Sequence, residues 1–220
     1  MKIGLIGAGN IVGALVHRLT ALGHQVLVSN SRGPDSLAAL AAETGATPVE
    51  RAQAVQGVDL IVLTIPQKAV ADLPADLFAS VPPTVPVIDT GNYYPQQRDG
   101  RIDGIEAGLT ESAWVEQRIG HPVIKTFNNI YSRHLLERGV APGAPGRIAL
   151  PVAGDDAAAK AVVLDLVESL GFDAVDAGGL AESWRQQPGS PVYGTDLDAA
   201  GARAALSAAR AERTAEWRAK

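Results

Sequence analysis

MKIGLIGAGNIVGALVHRLTALGHQVLVSNSR, residues 1–32, reads as a strand, a glycine turn, a helix and a second strand that closes on hydroxyl, amide and guanidinium groups. Lys2–Ile6 is a short apolar run that enters Gly7-Ala8-Gly9-Asn10-Ile11. Missing side chains at Gly7 and Gly9 let backbone N–H groups approach a pyrophosphate, and the helix N-terminus that follows favours negative charge. Ile11, Leu15, Leu19 and Leu22 recur at helical spacing until Gly23, where a C-terminal cap belongs. The second strand, Gln25 to Val28, runs into Ser29-Asn30-Ser31-Arg32-Gly33. No acidic residue stands there to accept a bond from an adenosine ribose 2′-OH. Ser29, Ser31 and Arg32 instead offer donors and one permanent positive charge, which predicts NADP(H) over NAD(H). In the pattern G-x-G-x-x-G the third glycine falls on Val12, with Gly13 one position late. Either the helix sits slightly outward or Gly13 takes over the close helix–strand packing by a small rotation.

The alternation continues outward from this unit. Pro34 to Thr44 reads as a helix ended by Gly45, Ala46 to Val49 as a short strand, and Glu50 to Gln56 as a short helix. Val58 to Thr64 is a continuous apolar run of the kind buried on both faces of a parallel sheet, and Pro66 halts it and opens a further helix. Val85 to Asp89 is another strand. Thr110 starts a helix that ends at Gly120, and Pro122 to Thr126 is a sixth strand. Such alternation implies right-handed βαβ units and an open parallel sheet, with ligands at the carboxyl ends of the strands. The strand ends at Gly7, Ser29, Thr64 and Thr90 therefore nominate one groove, flanked by Ile65, Pro66, Asn92 and Asn128.

Composition limits the alternatives. A chain of 220 residues, 46% hydrophobic and 20% charged, is long enough to bury a real core. Its net charge of −5 carries no basic footprint, which argues against nucleic acid and anionic membrane surfaces as partners. Absence of cysteine removes disulfides, thiol catalysis and cysteine metal sites, and it fits a reducing cytoplasm. The apolar run after Lys2 is too short for a signal peptide, and no apolar run has the length of a membrane span. The four histidines offer no metal-ligand spacing and no nucleophile–base arrangement, so no catalytic side chain is assigned.

Several of these segments together resemble a known family. Gly-Ala-Gly-Asn-Ile at 7–11, Ser31-Arg32, Leu-Thr-Ile-Pro at 63–66, Lys125-Thr126-Phe127-Asn128 and Val152-Ala153-Gly154-Asp155-Asp156 look like the NADPH-dependent reductases of the 8-hydroxy-5-deazaflavin coenzyme. The resemblance implies that Ser31 and Arg32 hold the 2′-phosphate and the glycine turn the pyrophosphate. It also implies that hydride passes between NADPH and the deazaflavin as co-substrate. The second basic residue that often follows the Ser-Arg pair in that family is replaced here by Gly33-Pro34-Asp35-Ser36.

The fold expected is a Rossmann-type α/β domain over 1–125 with helices on both faces of its sheet. A smaller α/β part over 126–220, serving substrate or dimerisation, ends in a long Ala-rich helix from Asp196. That helix packs either on the body or across a homodimer. Asn128 has two readings, a nicotinamide carboxamide ligand and a helix cap. Lys125 admits a β-hydroxyacid dehydrogenase reading in which a lysine acts on a substrate hydroxyl, although the rest of that pattern is missing. The stretch Trp184 to Tyr193 either covers the second substrate, with Trp184 or Tyr193 stacking on a flat ring, or anchors a loop. Besides deazaflavin reduction, the sequence admits NADPH-dependent reduction of a small carbonyl, flavin or ferric ion, and an NADP(H)-sensing module without turnover.

Overall fold

The computed structural model describes residues 1–220. The opening stretch folds as read: β1 is Lys2–Ile6, α1 Asn10–Ala21 and β2 Gln25–Ser29. A 3-10 turn over Pro34–Leu37 leads into α2, Ala38–Thr44, which ends on the left-handed Gly45. There follow β3 (Thr47–Pro48), β4 (Leu60–Leu63), β5 (Val87–Asp89), α3 (Asp103–Glu106), α4 (Glu111–Ile119) and β6 (Ile124–Lys125). The six strands form one parallel sheet in the order β3-β2-β1-β4-β5-β6. This is the order of a dinucleotide-binding fold, with its ligand crevice where the order reverses at β1 and β4.

Period-two side-chain alternation feeds two separate cores. Ile3, Leu5, Val26, Val28, Leu60, Val62, Ile88 and Ile124 face one of them, where they meet α1 through Val12, Leu15, Val16 and Leu19. Ile6, Leu27, Ile61, Leu63, Val87 and Val123 face the other, covered by Trp114, Val115 and Ile119 of α4 and by short turns carrying Ala54, Val55, Val70 and Phe78. The helices expected at Glu50–Gln56 and after Pro66 are 3-10 turns, Gln53–Val55 and Gln67–Asp72. The first is cut short by the left-handed Gly57, and the second stops where Leu73 turns extended ahead of Pro74.

The rest of the chain adds α5 (Ser132–Glu137), β7 (Ala149–Val152), α6 (Ala157–Ser169), β8 (Asp173–Asp176) and α7 (Ala199–Ala208). Asp156 caps α6, its side chain accepting from Ala159 N–H. Strands β7 and β8 pair in parallel, and an antiparallel bridge from Ala153 to Lys125 fastens them to the edge of the main sheet. Residues of β7 and α6 share the core of β1 and α1, so apolar packing runs across position 125.

The Ala-rich C-terminal segment is α-helical only over Ala199–Ala208, with Asp198 as its cap, and Ala202 and Leu206 pack on Ala149 and Val175 of the same chain. Helix propensity differs by only about 0.7 kcal/mol per residue among ordinary side chains. Tertiary contacts therefore prevail beyond Ala209: Arg213 reaches the buried Glu111, and Trp217 packs on Tyr94.

Candidate functional site

At Gly7 the chain turns with φ +142°, and a Cβ there would lie 2.1 Å from the Thr64 carbonyl oxygen, so no other residue fits. Gly9 then caps α1 in an extended conformation without any side-chain bond to the helix N-terminus, and no acidic residue occupies the first turn. An added Cβ at Gly9 would meet nothing within 4 Å. The first amides of α1 are thus uncapped beside open space, a ready anion site. Val12 is fully buried in the core beneath this turn, whereas a Cβ on Gly13 would meet nothing. Gly13 has therefore not taken over the packing role of the missing third glycine. Close approach is supplied instead by Gly4 inside β1, where a Cβ would stand 1.7 Å from the Ala54 carbonyl oxygen.

The end of β2 sorts its polar residues by direction. Ser29 is buried and donates to the Leu5 carbonyl at 3.2 Å, which withdraws it from the set of phosphate donors expected there. Asn30 accepts from Arg32 N–H at 2.8 Å and bonds Ser36, forming the local turn that presents Ser31 and Arg32. The Arg32 guanidinium has no carboxylate or carbonyl partner. Apart from Ser29, the residues named from the sequence as cofactor contacts line one cleft of about 840 Å³: Gly7, Ala8, Gly9, Asn10, Ile11, Asn30, Ser31, Arg32, Thr64, Ile65, Pro66, Thr90, Asn92 and Asn128. Sequence reasoning missed Arg51 and Arg98 on the same walls, while Tyr94 and Tyr131 fall on the strand-end loops it nominated.

The far end of the cleft is differently made. Asn128 donates to Asn92 Oδ1 at 3.0 Å and to the Gln186 carbonyl at 2.7 Å, and its Oδ1 accepts from Gln186 Nε2 at 3.0 Å. It acts as a tie between three loops, with both amide protons engaged inside the protein, and it caps no helix. Phe127 just before it is buried with φ +60°, a strained backbone for a side chain of that size. Tyr94 and Tyr193 join hydroxyl to hydroxyl, and the Trp217 ring backs both, with centroids at 5.9 and 6.4 Å. Arg98 lies 4.9 Å over the Tyr94 ring while bonding Asp99 and the Asn92 carbonyl. Tyr131, 60% exposed, stands at the rim. Burial, and then the bond from Tyr94, push the Tyr193 phenol up from its ordinary value. Of the two aromatics proposed to face a flat substrate, Tyr193 lines the cleft. Trp184 lies outside it beneath the Arg185 guanidinium, so that half of the expectation is corrected.

Lys125 does not reach the cleft. It is fully buried behind the floor, with Nζ 2.5 Å from the Gly91 carbonyl, 3.3 Å from Asp89 Oδ2 and 3.8 Å from Glu111 Oε2. Ser112 donates to the same Asp89 oxygen at 2.7 Å, and Arg213 closes the network on Glu111. Burial pushes the Glu111 carboxyl up, and the Lys125 and Arg213 charges pull the other way. A fully committed lysine cannot act on a substrate hydroxyl, so the dehydrogenase reading of Lys125 falls. The cleft contains no His, Lys or Glu, and Asp72 is its one carboxylate. No helix of the chain is long and apolar enough to cross a membrane.

Comparison with known proteins follows the same lines. A model of the family described as NADP oxidoreductase, coenzyme F420-dependent, matches residues 2–93. The crystal structure of the hypothetical protein SMa0349 from Sinorhizobium meliloti is 30% identical, covers 90% of this chain and 95% of its own, and superposes with a TM-score of 0.76. A candidate F420-dependent NADP-reductase from Arthrobacter sp. FB24 shares the fold at 23% identity and a TM-score of 0.67, covering 83% of this chain and 87% of its own. The Escherichia coli (strain K12) protein YjhV is 53% identical over 58 residues, 26% of this chain, and the match spans 42% of that protein.

Proposed function

Because the chain belongs to the family of coenzyme F420-dependent NADP oxidoreductases, and so to the NAD(P)-dependent oxidoreductases, we propose that it transfers hydride between NADPH and an 8-hydroxy-5-deazaflavin. The observation that carries this reading is the continuity of the cleft. One end offers uncapped amides and a free guanidinium, and the other offers a tyrosine wall with no strong general acid or base. That donor set fits NADP: Gly9 leaves room for a pyrophosphate on α1, and Ser31 and Arg32 answer a 2′-phosphate.

When bound, the dinucleotide supplies a hydride from its nicotinamide ring. The protein's own part is placement. Uncapped N–H groups of α1 and the Arg32 charge fix the phosphates and hence the reach of the far ring along the cleft. Thr64 to Pro66 and Thr90 to Asn92 form the floor, held rigid from behind by the Lys125 network. Tyr94, Tyr131 and Tyr193 offer flat apolar area to a second ring. Transfer between two ring systems needs no side-chain proton donor positioned on a substrate oxygen, in keeping with the absence of His, Lys and Glu. In this reading the protein works in the cytoplasm on small molecules.

The test is direct. Purified protein mixed with NADPH and the oxidised deazaflavin should bleach the NADPH absorbance in step with deazaflavin reduction. Tight NADPH binding without that turnover would move the assignment to another acceptor, a small carbonyl, flavin or ferric ion. Binding without turnover on any acceptor would leave a sensing module.

A further inference from the structure

The phosphate end of the cleft holds a second guanidinium, Arg51, that the glycine and Ser-Arg motifs do not include. Arg51 follows β3, whose parallel register sets Thr47 beside Leu27 and Pro48 beside Val28, and Val49 N–H continues the ladder to the Val28 carbonyl at 3.0 Å. The chain after β3 therefore emerges next to the chain after β2, which carries Arg32. Its conformation is fixed: Gln53 Oε1 accepts from Glu50 N–H at 3.0 Å, and Ala54 N–H donates to the Arg51 carbonyl at 3.2 Å. The close approach of Ala54 to Gly4 pins the same turn onto β1.

The side chain itself has no partner. Arg98, Arg101, Arg133, Arg138, Arg147, Arg185 and Arg213 each meet a carboxylate within 4.0 Å, but Arg51 and Arg32 meet none, and Asp72 on the same cleft pairs with neither. Arg51 Nε is moreover enclosed by protein and makes no hydrogen bond. Leaving a shielded N–H of a cation unbonded is unfavourable, more so than for a neutral group. Arg51, with this shielded N–H, and the exposed, unpaired Arg32 line one cleft, and in a protein of net charge −5 they mark a place prepared for an anion.

We propose that Arg51 is the second arm of the 2′-phosphate clamp, so that two guanidiniums from adjacent strand ends hold one phosphate monoester. This rests on the NADP reading above. A phosphate monoester carries close to two negative charges at neutral pH, which a lone Arg32 would half neutralise and the pair answers fully. Arg51 thereby fills the role left open where Gly33-Pro34-Asp35-Ser36 provides no second base after the Ser-Arg pair. The rival placement, Arg51 stacked on the adenine ring, would act equally on phosphorylated and unphosphorylated ligands.

Calorimetric titration of the whole protein with 2′,5′-ADP and with 5′-AMP separates these. Wild type should bind 2′,5′-ADP far more tightly, R51Q should lose about 10–100-fold on 2′,5′-ADP with 5′-AMP unchanged, and R51K should fall between, keeping the charge but not the fork. Equal losses on both ligands, or no loss, would overturn the role of Arg51 while a wild-type preference for 2′,5′-ADP kept the NADP reading intact. No wild-type preference would overturn both. Should R51Q melt early, R51K decides by the same ratio.

Discussion

At the phosphate end of the cleft the cofactor-facing amides and guanidiniums come from one βαβ unit and the neighbouring strand end and are left without partners, whereas at the tyrosine end the polar groups come from distant segments and are bonded to one another. Gly7, Gly9, Ser31 and Arg32 lie within one βαβ unit, with free amides and a free guanidinium. Tyr94, Arg98, Asn128, Tyr193 and Trp217 are drawn from four parts of the chain, and each hydrogen bond or ring contact is internal. The difference teaches how each end recognises. Unmet charge and amides select a ligand by formal charge, while a satisfied aromatic wall selects by shape and stacking.

Removing one cation of each kind breaks the comparison most severely. Lys125→Met takes the charge from between Asp89 and Glu111 and leaves buried carboxylates short of a partner, so stability should drop by about 3–5 kcal/mol in a denaturant melt. A Tm near wild type would show that the network is not the brace of the cleft floor. Arg32→Ala should do the reverse: an unchanged melt, NADPH affinity down about 10–100-fold, and NADH affinity unchanged. Equal weakening of both dinucleotides would remove the phosphate clamp from Arg32.

Smaller effects sharpen the other end. Trp217→Ala withdraws the backing of Tyr94 and Tyr193, worth about 0.5–1.5 kcal/mol for an aromatic pair, so the deazaflavin KM should rise several-fold while NADPH affinity stays put. A change in NADPH affinity instead would mean that the two ends are not separable. Last comes pH. Burial pushes Tyr93 to about 12 and raises Tyr193 as well, so neither phenol gives up its proton between neutrality and pH ~9, and kcat should be level there. Below pH ~6 the 2′-phosphate itself gains a proton and loses charge, so NADPH affinity should decline while NADH affinity holds. A bell-shaped kcat centred near neutrality would demand a titrating group that the cleft lining does not supply.

Legibility in the sequence followed the same divide. Buried parallel strands announce themselves by continuous apolar runs, and the glycine turn and Ser31-Arg32 are local, so strand order, crevice and phosphate contacts could be read directly. Ser29 was misjudged because alternation along a strand decides which side a residue faces, and one residue before the turn it still faces the sheet. Short 3-10 turns in place of two helices, and an Ala-rich tail that leaves its helix at Ala209, are settled by proline spacing and by tertiary anchors that no local pattern contains. Arg51 escaped notice for a related reason: nothing in its neighbours along the chain marks it, and only strand pairing brings it to the cleft.

The contact between Gly4 and Ala54 bears on how this chain can drift. Gly13 resembles a signature residue yet has open space around it, so alanine or serine could replace it without disturbing its surroundings. Gly4 belongs to no signature, but any side chain there would collide with a backbone carbonyl, which cannot swing aside as a side chain would. Through that collision a change in the middle of the first strand would be felt at Arg51. Lineages that alter dinucleotide preference are therefore expected to edit Arg32 and Arg51 while holding Gly4 fixed, so that one adjustable position, Arg51, lies in the turn that the immovable Gly4 pins.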